Sequence, residues 1–138
     1  MTHIEFIFNV VDKTTLAIGL TEQLIRRNRS ALIYLEDQKA IDDFSISLLE
    51  KELFMPHLIE ENALLNKLSL TQSKPDLMDD TLINFTSREI HGFSRYLKMY
   101  ELVGHDDEHK NSARERYRFY KDCGYQVDSM DATNLVFN

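Results

Sequence analysis

The sequence has no tryptophan, one cysteine and four glycines in 138 residues, and two of these scarcities each remove a class of chemistry. A lone Cys123 forms no internal disulfide and leaves no second thiolate for a zinc cluster, a usage that suits a reducing compartment. Glycine is missing from Val11-Asp-Lys-Thr-Thr15, the turn after the first expected strand. Neither G-x-G-x-x-G nor G-x-x-x-x-G-K-S/T occurs. Backbone amides there cannot close around a phosphate, so a nucleotide cofactor is not expected. G-x-S-x-G is absent as well, which leaves no nucleophile elbow. No apolar run approaches the roughly 18 to 20 residues that span a bilayer. The first residues show no basic segment leading into an apolar signal region. A cytoplasmic location without membrane contact is expected.

What is present fits one globular domain over residues 1–138, with 43% hydrophobic and 28% charged residues. Ile4–Val11 is nearly continuously apolar and reads as a buried strand. Asp12-Lys-Thr-Thr15 offers capping side chains, and Leu16, Leu20 and Leu24 recur every four residues, as on a helix. That helix runs into Arg26, Arg27 and Arg29. Ala31–Leu35 reads as a second strand, and a helix is expected from Gln38 to about Lys51. Strand, helix, strand, helix at this spacing is a βαβ pattern. The expected fold is a three-layer α/β/α domain with a mostly parallel central sheet. Further on, Pro56 disfavours helix at Met55, Leu64–Leu70 contains a short strand, and 71–80 reads as a loop. Thr81–Thr86 is expected as a strand, Arg88 to about Lys98 as a helix, and Tyr100–Val103 as a strand stopped by Gly104.

The last third carries the strongest signal. Lys110–Lys121 holds five Lys or Arg and one Glu, a local charge of +4, which leaves -11 on the rest of a chain whose total is -7. An acidic protein that gathers its cations on one helix is built to meet something negative there. At about 100° per residue, Lys110, Arg114, Tyr117 and Lys121 share one narrow stripe. That combination makes a seat for a carboxylate beside an apolar group. A solvated amphipathic helix with ordinary surface cations explains the same spacing. The pI near 5.2 argues against wholesale wrapping of a nucleic-acid backbone.

Other chemistry is sparse. His105 and His109 have the i, i+4 spacing of two metal ligands, but no third ligand is indicated, and helix capping explains Asp106, Asp107 and Glu108 more simply. No metal is expected. Cys123 reads by default as a small buried or half-buried side chain. Asp79-Asp80 reads as a solvated pair. Nothing in the sequence resembles an active site.

Ala113-Arg-Glu-Arg-Tyr-Arg-Phe-Tyr-Lys121 followed by Gly124-Tyr125 resembles the C-terminal signature of the chi subunit of bacterial DNA polymerase III. Phe54-Met-Pro-His57 is similar to that family's Phe-x-Pro-His motif, and Leu35-Glu-Asp37 is similar too. The resemblance implies a non-catalytic adaptor of the clamp loader. Such an adaptor joins the psi subunit and binds the acidic C-terminal tail of single-stranded DNA-binding protein, which ends in several Asp residues and Ile-Pro-Phe. On that resemblance Arg114 grips a tail carboxylate, and Lys110 adds charge one turn earlier, as Lys121 does along the stripe. Tyr117 walls the pocket for the tail's Phe, and Val103 lines it. Phe54 belongs to the surface for psi, or for a helicase as alternative partner. The family's upstream Trp has no counterpart here. The corresponding stretch is Ile46-Ser-Leu-Leu49, where Leu48 or Leu49 replaces its apolar area. Two other readings stay open. One is a direct nucleic-acid binder using the same helix. The other is an α/β enzyme with a polar cleft at the C-terminal ends of its strands.

Overall fold

In the computed structural model, residues 1–27, 29–50, 57–59, 68–71 and 81–134 are described, with backbone alone for 25, 49, 50, 57–59 and 68–71. Seven strands are described: β1 (His3–Phe8), β2 (Ala31–Tyr34), β3 (His57–Ile59), β4 (Leu68–Thr71), β5 (Thr81–Asn84), β6 (Lys98–Leu102) and β7 (Gln126–Asp131). They form one sheet in the order β3-β4-β2-β5-β6-β1-β7, and every described pairing is parallel. Three helices accompany it: α1 (Lys13–Arg26), α2 (Gln38–Glu50) and α3 (Asp107–Asp122).

The layers follow from alternation along the strands. Ile7, Ala31, Ile33, Ile83 and Leu102 point to one face, where they pack with Leu16, Leu20, Ile41, Phe44 and Leu48 of α1 and α2. Ile4, Phe6, Leu32, Leu82 and Met99 point to the other, beneath Ala113 and Tyr120 of α3. Helices on both faces of a parallel sheet make the three-layer α/β/α architecture.

Local chemistry sets the helix ends. The Asp12 carboxylate accepts from the Thr14 and Thr15 amides at 3.0 and 3.3 Å, which starts α1. Asp106 caps α3 by accepting from the His109 amide at 2.8 Å, with Asp107 and Glu108 in the first turn. Gly124 ends α3 in a left-handed conformation, φ 93°, which a side chain would strain.

The expected helix from Arg88 to Lys98 is not there. Instead a 3-10 turn covers Phe93–Arg95, and β6 already begins at Lys98. Two features prevent an α-helix. Asn84 and Thr86 hold residues 84–88 in a turn, with the Arg88 amide donating to the Thr86 hydroxyl at 3.1 Å. Gly92 then takes φ 87°. The buried Ile90, Phe93 and Tyr96 are three apart, the period of a 3-10 turn rather than of an α-helix. Strand β7 was not expected at all. It is an edge strand with only Val127 buried, so its sequence carries no apolar alternation. Phe54 lies outside the described residues, as do Pro56 and Asp79-Asp80.

Candidate partner-binding site on the last helix

Helix α3 is held to the sheet by a buried ionic clasp. Glu101 on β6 is fully buried, and its carboxylate accepts from Arg116 Nε at 2.9 Å and from the Asn84 side-chain amide. Arg116 is only 8% exposed, and its Nη1 also donates to the Ser87 carbonyl at 2.7 Å. Burial pushes the Glu101 carboxyl above its usual range, while the Arg116 charge and the hydrogen bonds pull it back. One of the five cations counted on the helix is therefore structural. Lys110, Arg114, Arg118 and Lys121 remain at the surface.

With Arg116 turned inward, Arg114, Tyr117 and Arg118 face the other side of the helix, toward β7. A cavity of about 230 Å³ opens there, lined by Phe8, Arg114, Tyr117, Arg118 and Ser129. Its floor is aromatic. Tyr117 is half-buried, with its ring centroid 5.4 Å from that of Phe6, and Phe8 stacks on Phe6 at 6.0 Å. Lys121 Nζ sits 5.2 Å from the centroid of the Tyr117 ring, a cation–π contact that keeps positive charge at the outer edge. The Arg114 guanidinium donates to the Asn111 side-chain oxygen at 3.5 Å. The cleft can take an apolar group on its floor and an anion at its rim.

The other expected residues fall as follows. Lys110 and Lys121 lie on α3 outside the cavity lining. Val103 is 0% exposed and packs in the core under α3, so it lends no surface to the cleft, a correction that follows from its burial. Phe8 supplies the apolar wall instead. The alternation Ile4, Phe6, Phe8 onto the α3 face held that signal, whereas Ser129 sits on the strand the sequence did not reveal. Leu48 is 2% exposed in the core between α1 and α2, so it offers nothing to a partner. The side chain of Leu49 lies outside the described residues, as does Phe54. Ile46, 53% exposed, is an apolar side chain that α2 turns outward. Cys123 is exposed, contrary to the buried default.

A second cleft lies at the C-terminal ends of the strands, as the enzyme reading required. It measures about 380 Å³ and is lined by Lys13, Glu36, Ser87, Asp106, Glu108, His109 and Ser112. His105 is exposed while His109 is buried beside Lys13, so the two do not act as a ligand pair. Among the described residues no group of three metal-ligating side chains is assembled.

Residues 1–128 match the family described as DNA polymerase III chi subunit, HolC. The chain belongs to the DNA polymerase III chi subunit family. As a chi-family protein it is a non-catalytic replisome adaptor of the bacterial cytoplasm, linking the clamp loader, through psi, to the tail of single-stranded DNA-binding protein. The polar cleft is therefore not read as a catalytic centre. No curated protein matches the sequence. Among solved structures, the C-terminal domain of the DEAD-box protein Dbp5 is similar, with TM-score 0.63 and 12% identity, over 96% of this chain and 91% of that one. A variant of the S. cerevisiae Dbp5 C-terminal domain, bound to Gle1 and IP6, gives TM-score 0.58 and 9% identity, over 94% and 88%. At such identities the likeness concerns the fold alone. No described helix is long and apolar enough to cross a membrane.

Proposed function

We propose that the cleft between α3 and β7 is where this chi-family chain seats the acidic tail of single-stranded DNA-binding protein. The observation that carries the reading is a cavity with an aromatic floor, Phe8 and Tyr117, flanked by the cations Arg114 and Arg118. The tail's terminal Phe packs on that floor, where an aromatic pair adds roughly 0.5 to 1.5 kcal/mol beyond burial. Its carboxylates meet Arg114 and Arg118 in charge-assisted hydrogen bonds, and Lys110 and Lys121 extend the field along the helix. For psi, the exposed Ile46 of α2 is the contact we assign in place of Leu48, alongside the expected Phe54.

Fluorescence anisotropy of a labelled Asp-Asp-Asp-Ile-Pro-Phe peptide tests the tail site. Affinity is expected to be micromolar, about -8 kcal/mol. Arg114→Ala is expected to weaken it about ten- to a hundred-fold, a loss of roughly 1.5 to 3 kcal/mol. A peptide lacking the Phe is expected to bind no better than that variant. If wild type and Arg114→Ala bind alike, the cleft is not the tail site. If an oligonucleotide binds in place of the peptide, the helix serves phosphates.

A further inference from the structure

We infer that Lys13, held in the polar cavity between the starts of α1 and α3, is a reactive amine that takes small uncharged carbonyl compounds as imines.

The position follows from the topology. Connections from β1 and β2 run over one face of the sheet through α1 and α2, while those from β5 and β6 run over the other, the latter through α3. Beyond the ends of β1 and β6, where the direction reverses, the chain parts and leaves a crevice, the usual ligand position of an open parallel sheet. Lys13 enters it from the first turn of α1 and His109 from the first turn of α3.

The geometry is that of a held nucleophile. Lys13 Nζ donates to the Phe85 carbonyl at 3.0 Å and lies 3.3 Å from His109 Nδ1 and Nε2. Half-burial brings Lys13 down to about 8, against weaker opposition from Asp106, Glu36 and Glu101, with Arg116 assisting. Burial and the Lys13 charge hold His109 below its ordinary value, so the ring is neutral at pH 7.5 and has a nitrogen to accept a proton. An amine that is partly neutral beside a proton acceptor is the arrangement that activates lysine.

The step balances without redox chemistry. The amine lone pair adds to the carbonyl carbon, the two amine protons pass in turn by way of His109 to the carbonyl oxygen, and that oxygen leaves as water as C=N forms. The rim selects the electrophile. Glu36, Asp106 and Glu108 line the cavity against one Lys, so anionic acyl donors are repelled and neutral aldehydes enter. The cavity, about 380 Å³, has room for a molecule of that size.

The test uses the intact chain with glycolaldehyde and cyanoborohydride at pH 7.5, followed by peptide mapping over time. About a quarter of Lys13 side chains are neutral there, against about one in a thousand for an ordinary lysine. Lower basicity returns part of that gain, as with thiols, leaving roughly a ten-fold advantage over the exposed Lys39 and Lys121. The Lys13 rate is expected to have its midpoint near pH 8, as its side chain titrates. His109→Gln is expected to slow Lys13 and leave Lys39 unchanged. Acetyl phosphate, the anionic comparator, is expected to show no preference for Lys13. Labelling of Lys13 no faster than Lys39, or a midpoint above about 10, the range of an ordinary lysine, overturns the inference. Preferential acetylation by acetyl phosphate overturns the assignment to uncharged carbonyls.

Discussion

Arg114 and Arg116 stand two residues apart on α3 and have opposite fates, because two steps along a helix turn a side chain by about 200°. One faces the cleft beside β7, and the other is locked under the helix on Glu101. The stripe of Arg114 and Tyr117 was legible from that period. The burial of Arg116 was not, because its partner lies fifteen residues earlier on another element. His109 was legible only as half of a histidine pair. Its environment yields an expectation about acid stability. Its folded-state pKa lies below the ordinary 6.5, so the stability it contributes is fully present above pH 6.5 and is lost as pH falls through the folded value. Thermal melts are expected to show Tm declining below pH 6.5, with His109→Gln removing part of that decline. An identical pH profile in the variant would show that other groups govern the acid limb.

At the scale of elements, the attachment of α3 is a testable quantity. Removing one member of a buried ion pair leaves the other charge without compensation, at a cost of about 3–5 kcal/mol. Glu101→Gln is expected to lose stability in that range by urea denaturation. Glu101→Leu combined with Arg116→Met is expected to recover most of the loss, since apolar packing often replaces a buried pair at little cost. A double variant as unstable as the single one would mean that Asn84, Ser87 and Ser112, left without Arg116 or Glu101, set the cost. In the sequence, α1 and α3 were legible from a capping side chain and a helical period, and α2 from its place in the strand, helix, strand, helix pattern. The 88–98 segment has three buried apolar residues at a spacing of three and a glycine in the middle, which reads as a weak helix and folds as a 3-10 turn. Strand β7 has neither alternation nor an apolar run, because it lies at the edge and only Val127 meets the core. The cleft depends on β7 for Ser129, so its full lining could not be read in advance.

For the whole molecule, the parallel sheet was legible because a βαβ pattern leaves few other choices. Charge is the other global property. Four surface cations, Lys110, Arg114, Arg118 and Lys121, lie along one side of α3 in a chain of -7, and attraction of an acidic tail acts mainly through that local field. Screening shortens the reach of such a field from about 10 Å at 0.1 M salt to about 3 Å at 1 M. Raising NaCl from 0.05 to 0.5 M is expected to weaken peptide binding by roughly ten-fold. A salt-independent affinity would mean that the aromatic floor alone holds the tail.

The placement of β1 has a consequence for how the chain comes off the ribosome. It precedes every other described strand in the chain, yet its two neighbours are β6 and β7, at residues 98–102 and 126–131. At about 5 to 20 residues per second, its hydrogen-bonding edges wait roughly 5 to 25 seconds for partners. Through that interval Ile4, Phe6 and Ile7, all wholly buried in the folded domain, have no sheet to join. The nascent chain thus presents an apolar strand to its surroundings until almost the whole domain has been synthesised, and closes only when the two latecomers arrive on either side.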